Sequence, residues 1–178
     1  MIDSISKSYA QALMDLLLEN NISYESGIND LKEINTIISD KDILNYLLFP
    51  EIKFSDKEEL IKKSLKEYNN IIVSFILVLL ENKRISSLSD IIDAFQNNLD
   101  ELSNVLRAEI VSCNNISDEY YKRIIKALEK NYNKKIIGKI TYDKDVIGGI
   151  KVLINGSIID DTLLNKLKSI KDTIINGA

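Results

Sequence analysis

The chain has 178 residues, 45% of them apolar and 28% charged, which allows one large or two small domains of ordinary soluble composition. There is no histidine, which excludes His-based acid–base chemistry, Ser–His and Cys–His nucleophile pairs and His metal ligands. The single cysteine, Cys113, excludes an intramolecular disulfide and a multi-cysteine zinc site, and the net charge of −4 divides unevenly, as −8 over residues 1–104 and +4 over 105–178.

The first 25 residues lack a basic region followed by an apolar core and a small-residue cleavage site, so no secretory signal is expected. Ser4–Leu18 reads as an amphipathic helix capped by Asp3 or Ser4, with Ile5, Tyr9, Ala12, Leu13, Leu16 and Leu17 on one inward stripe. A second helix, from about Ser23 to Ser39, turns Ile28, Leu31, Ile34, Ile37 and Ile38 inward. A short third helix starts at Asp40 or Lys41, and Pro50, the only proline, stops it at Phe49. Ser55-Asp56-Lys57-Glu58 has the spacing of a capping box and opens a fourth helix reaching about Tyr68, with Leu60, Ile61 and Leu65 inward.

Ile71–Leu80, IIVSFILVLL, is apolar except for Ser74. It is too short to cross a bilayer, which takes about 20 apolar residues. A helix apolar all round is expected to be enclosed by other protein, so this fifth helix is the expected centre of the first half. A sixth, from about Ser86 to Leu102, carries Leu88, Ile91, Ile92, Phe95, Leu99 and Leu102. The expectation for residues 1–104 is a six-helix bundle.

Beyond Ser103 the period falls to two. In Val105–Cys113, Leu106, Ala108 and Ile110 alternate with Arg107, Glu109 and Val111, as in a strand. Ser117 caps a helix to about Asn131 with the stripe Tyr121, Ile124, Ile125 and Leu128. Ile136–Tyr142 and Ile150–Ile154 read as further strands, and Asn155-Gly156 joins the latter to Ser157–Asp160 through a hairpin turn that needs positive φ twice. Asp160 or Asp161 caps a final helix with Leu163, Leu164, Leu167, Ile170 and Ile174 inward, ended by Asn176-Gly177. The overall fold class is α+β: a helical half, 1–104, and a small α/β module, 105–178.

Candidate chemistry is sparse. Gly148-Gly149 precedes a strand rather than a helix, which argues for a bulge or a close backbone approach and against a phosphate loop. The paired carboxylates of Asp160-Asp161 fit capping better than acid–base work or cation binding. Cys113 has no activating base. Lys122, Arg123, Lys126, Lys130, Lys134 and Lys135 form a basic cluster with little aromatic interleaving beyond Tyr132, which suits a solvated face or an acidic partner better than nucleic acid. Ala12 and Ser74 are small residues on otherwise bulky helices; they leave either close helix packing or a shallow groove for a partner's amphipathic helix.

Three motifs add to this. Tyr9-Ala10-Gln11-Ala12-Leu13 resembles the opening motif of the delta subunits of bacterial F-type ATP synthases, whose mitochondrial counterpart is the oligomycin-sensitivity-conferring protein. Phe75, then Leu79-Leu80-Glu81-Asn82-Lys83-Arg84-Ile85 with Leu88, Ile91 and Phe95, is similar to the middle motif of that family. Asp145-Val146-Ile147-Gly148-Gly149, followed by Ile158-Ile159-Asp160 and Leu164/Leu167, is similar to its C-terminal signature; Pro50 and Lys57 also fall where the family has a proline and a lysine. The chain departs from the pattern at Asp161, where the family has a small residue, while Thr162 keeps the hydroxyl that follows.

The resemblance implies a non-catalytic connector on the cytoplasmic face of the cell membrane, peripheral to it and part of the ATP synthase complex. It would join the catalytic hexamer to the membrane-anchored stalk and resist rotational torque during proton-driven synthesis. No catalytic residue, cofactor, metal, nucleic acid or direct membrane insertion is implied. The helical half would receive the N-terminal helix of an alpha subunit on its first and fifth helices, and the C-terminal module the end of the stalk subunit. Ala12, Ser74 and Val78 are then the expected contact residues, since 74 and 78 lie one turn apart on one face. The alternative from the residues alone is a helical adaptor with a basic, nucleic-acid-binding C-terminal module.

Overall fold

Capping and periodicity place the helices. In a computed structural model, which describes residues 3–163 and 165–167, α1 spans Ser4–Glu19 and begins where the Asp3 carboxylate accepts from the Ser6 amide at 2.7 Å. α2 is Tyr24–Ile38 and α3 Lys41–Leu48. Phe49, held extended by the following Pro50, ends α3 as expected. α4 is Phe54–Ser64 and α5 Asn70–Glu81, the latter capped by the Asn69 side chain on the Ile71 amide. A 3-10 turn, Ile85–Ser87, leads into α6, Leu88–Leu102. The fold is α+β: these helices precede β1 (Val105–Ser112), α7 (Asp118–Tyr132), β2 (Lys135–Tyr142), β3 (Ile150–Ile154) and β4 (Ser157–Asp160).

The chain divides into two compact units, Met1–Leu99 and Asp100–Ala178. In the first, a core from all of α1 to α6 centres on Leu13, Leu31, Ile72, Ile76 and Phe95, all wholly buried. Such packing supplies most of the stability of helices this short. In the second, a four-stranded sheet runs in the order β2-β1-β3-β4. β1 and β2 are parallel and joined through α7; β3 pairs antiparallel with β1 and with β4. Ala108 lies opposite Gly138 and Ile154, and Ile110 opposite Ile140 and Val152. Ile124 and Leu128 of α7 close this face. The β3–β4 turn has φ +49 at Asn155 and +74 at Gly156, the positive pair expected there.

Several local expectations fail. The capping box at Ser55 does not form: α4 starts at Phe54, Lys53 is its cap residue without a side-chain bond, and the Ser55 hydroxyl turns to Asp56. Glu58 instead pairs with Lys62 one turn on. α4 also ends at Ser64, where Leu65 buries and the chain turns, so Tyr68 lies outside it. Leu60 and Leu102 are exposed rather than inward. In α1 the inward face is Ser6, Ala10, Leu13, Met14 and Leu17, while Ile5, Ala12 and Leu16 are exposed. α5 is not enclosed: Ser74 and Val78 reach solvent. At the last helix Thr162, not Asp160 or Asp161, is the capping side chain, accepting from the Asn165 amide at 3.2 Å. Leu163 and Leu167 are exposed. The expected inward positions Leu164, Ile170 and Ile174, and the Asn176-Gly177 stop, lie outside the described residues.

Candidate functional site

Each of α1 and α5 carries more apolar surface than the core uses. On α1 the spacings four, three and four place Ile5, Tyr9, Ala12 and Leu16 on a narrow stripe, roughly 100° round the axis from the buried face. Ile5 and Leu16 are 41% and 42% exposed. On α5 the buried face is Ile72, Phe75, Ile76, Leu79 and Leu80, and Ile71, Ser74 and Val78 form a second stripe beside it. Val78 is 44% exposed. The Tyr9 ring meets the Phe75 ring edge-on, with centroids 6.2 Å apart, so the α1 stripe borders α5.

The arrangement is a two-helix surface of apolar side chains with small residues, Ala12 and Ser74, among them. None of these seven side chains is a carboxylate, an amine or a guanidinium, so the surface is suited chiefly to apolar packing. The three contact residues expected from the sequence, Ala12, Ser74 and Val78, are all exposed here. Ile5, Tyr9, Leu16 and Ile71, which hydrophobic spacing alone assigns to the core, are further members. Their signal was present: α1 holds two apolar arcs, and one core face accounts for only one of them.

The entry to α1 is electrostatically fixed. Hydrogen bonds from Ser6, with a further contribution from the nearby Arg84 charge, hold the Asp3 carboxyl below the usual carboxylate range. Across the unit, burial and the neighbouring Glu33 charge raise the Asp30 carboxyl, opposed in part by a backbone hydrogen bond from Asn69.

In the second unit the two parts of the C-terminal motif fit together. The Asp161 amide donates to the Ile150 carbonyl at 3.0 Å and the Leu163 amide to the Gly148 carbonyl at 3.1 Å. Gly149 sits at φ +82 and leaves room for the Asp161 carbonyl, the close backbone approach expected of the glycine pair. Asp160 accepts from the Thr162 amide, and Lys166 pairs with Asp161 at 2.7 Å. Both carboxylates are thus engaged structurally. Ile147, Ile158, Leu163 and Leu167 are exposed around this loop. Lys122, Arg123, Lys126 and Lys130 line the outer side of α7, while Tyr132 is half-buried against the sheet core. Among the described residues no group of acids and cysteine is clustered as a metal site.

A family model described as ATP synthase delta (OSCP) subunit matches residues 5–174. The chain is 34% identical over 177 residues to the ATP synthase subunit delta of Clostridium botulinum (strain Kyoto / Type A2), with 98% of each chain covered. It is 29% identical over 174 residues to that of Acetivibrio thermocellus, covering 96% of this chain and 97% of the other. A chain in the cryo-EM structure of the Toxoplasma gondii mitochondrial ATP synthase hexamer shares the fold, with a TM-score of 0.69 at 15% identity over 97% of this chain and 98% of that one. On the strength of a match running almost end to end, this chain belongs to the ATP synthase delta (OSCP) subunit family.

Proposed function

We propose that the chain is the non-catalytic connector of the peripheral stalk, joining the catalytic hexamer to the membrane-anchored stalk subunit and resisting the torque of the rotating central shaft. The observation that carries the partner assignment is the apolar α1–α5 face. Residues 1–104 act in this reading as a six-helix bundle that takes the N-terminal helix of an alpha subunit, its apolar stripe laid against Ile5, Tyr9, Leu16 and Val78, with Ala12 and Ser74 letting the backbone come close. Residues 105–178 take the end of the stalk subunit, for which the exposed Ile147, Ile158, Leu163 and Leu167 are the contact candidates. The chain then sits peripherally at the cytoplasmic face of the cell membrane; no described helix is long and apolar enough to cross it.

Calorimetric titration of the full chain with a peptide from the N-terminus of the same organism's alpha subunit tests this. Saturable one-to-one binding with a negative heat-capacity change, the mark of apolar burial, is expected. No binding to a chain shown to be folded sinks the alpha-subunit assignment.

A further inference from the structure

On the flank of α5 opposite Val78, the first unit has a cleft of about 690 Å³. That volume is in the range of small-molecule sites, about 300–1,000 Å³. Its walls are Leu47 and Leu48 of α3, Phe54 of α4, Leu80 of α5 and Ile85 of the 3-10 turn. Leu48 and Phe54, 46% and 41% exposed, are its open wall, while Leu47, Leu80 and Ile85 belong to the buried core.

Three lysines, Lys53, Lys57 and Lys83, line the same cleft. Lys57 is 9% exposed, the most buried charged residue among those described. Its ammonium donates to the Phe49 carbonyl at 2.7 Å and forms no ion pair with any described residue. One neutral carbonyl is thin compensation for a buried cation with three donors. Glu81, the one acid in the lining, pairs with none of the three lysines. A positive, apolar-walled cleft inside a unit of net negative charge selects for a ligand with an apolar chain and one anionic head.

We propose that this cleft binds a long-chain monocarboxylate, with its head at Lys57 between Lys53 and Lys83 and its chain along Leu47, Leu48, Phe54 and Leu80. The site shares no residue with the α1–α5 face, so it stands or falls independently of the alpha-subunit assignment.

The chain has no tryptophan, so Phe54→Trp places a lone tryptophan, excited selectively over the eight tyrosines, on the cleft wall of the full-length protein. Titration with laurate below its micelle concentration should change the emission saturably at one site. Methyl laurate, which has the same chain and no charge, should bind at least about tenfold more weakly. Lys57→Met in the same background should erase that preference. Because Lys57 also tethers the α3–α4 loop, Lys83→Asn provides a second variant; φ +57 at this position suits asparagine. It should weaken laurate by about threefold while leaving the melting temperature in place. No saturable change, equal affinity for laurate and its ester, or laurate affinity unchanged in the folded Lys57→Met or Lys83→Asn chain overturns the proposal.

Discussion

At Gly149 a β-carbon would stand 2.3 Å from the Asp161 carbonyl oxygen, and the backbone is already at φ +82. Both the contact and the torsion exclude a side chain, and the obstacle is backbone that cannot rotate away. Gly149→Ala should therefore cost more than the roughly 1–2 kcal/mol of a left-handed torsion alone. Denaturant unfolding followed by hydrogen exchange in β3 checks this; a loss under 1 kcal/mol would mean that the loop repacks freely. Asp30 gives a pH-dependent case. Its carboxyl titrates above the ordinary value of 3.8, so its charge opposes folding above the raised value and the penalty vanishes as pH falls below 3.8. Asp30→Asn should raise the melting temperature at neutral pH, by no more than about 2 °C given its partial exposure, and the gain should fade on acidification. Asp3 works in the opposite sense: its lowered value adds stability that is present above 3.8 and lost as pH falls through the lowered value. Melting curves of wild type and Asp30→Asn from neutral to acid pH separate the two, since only the wild type carries the Asp30 contribution.

At the level of elements, α4 and α5 show what local rules decide. Lys53 occupies the cap position of α4 in an extended conformation, φ −62 and ψ 145, with no side-chain bond to the helix amides. Lys53→Ser supplies the missing acceptor and should stabilise the chain by about 0.5–1 kcal/mol, read as a higher denaturation midpoint at unchanged slope. For α5, Val78→Asp puts a carboxylate on the exposed flank. In the free chain it meets water and should leave the melting temperature within about 2 °C. Under an alpha-subunit helix the same charge is buried without a partner, so peptide affinity should drop by at least about tenfold. Normal binding by the folded variant would move the contact elsewhere. α5 also shows how far the sequence could be read. A decapeptide apolar at every position but Ser74 predicts a helix and a hydrophobic surrounding, but not whether that surrounding belongs to the same chain. The strands, the Asn155-Gly156 turn and the Pro50 stop were legible because each rests on backbone torsion within a few residues. The capping box expected at Ser55 does not form because Phe54 enters the helix and Lys57 is drawn to the Phe49 carbonyl, a contact eight residues away in sequence. The two arcs of α1 could not be ranked from spacing, since Leu13 and Leu16 are equally apolar and only the neighbours of the helix decide which one is buried.

For the whole molecule, the two units draw on different cores. The helical core gathers Leu13, Leu31, Ile76 and Phe95, and the sheet core Ala108, Ile110, Leu128 and Val152. Under the proposed connector role, stability set locally in each unit is an advantage, because the failure of one then leaves the other folded. Phe95 has no exposed surface and packs edge-on against Tyr24 at 6.3 Å. Phe95→Ala should cost about 3–5 kcal/mol through lost burial and the cavity left behind. If each core carries its own stability, that loss should appear as faster amide exchange throughout α1, α2 and α5 while amides of β1 and β2 keep their protection. Ile110→Ala, with Ile110 wholly buried in the sheet core, should do the reverse at a cost of about 2–5 kcal/mol. Uniform loss of protection in either variant would instead show that the two units unfold as one cooperative whole.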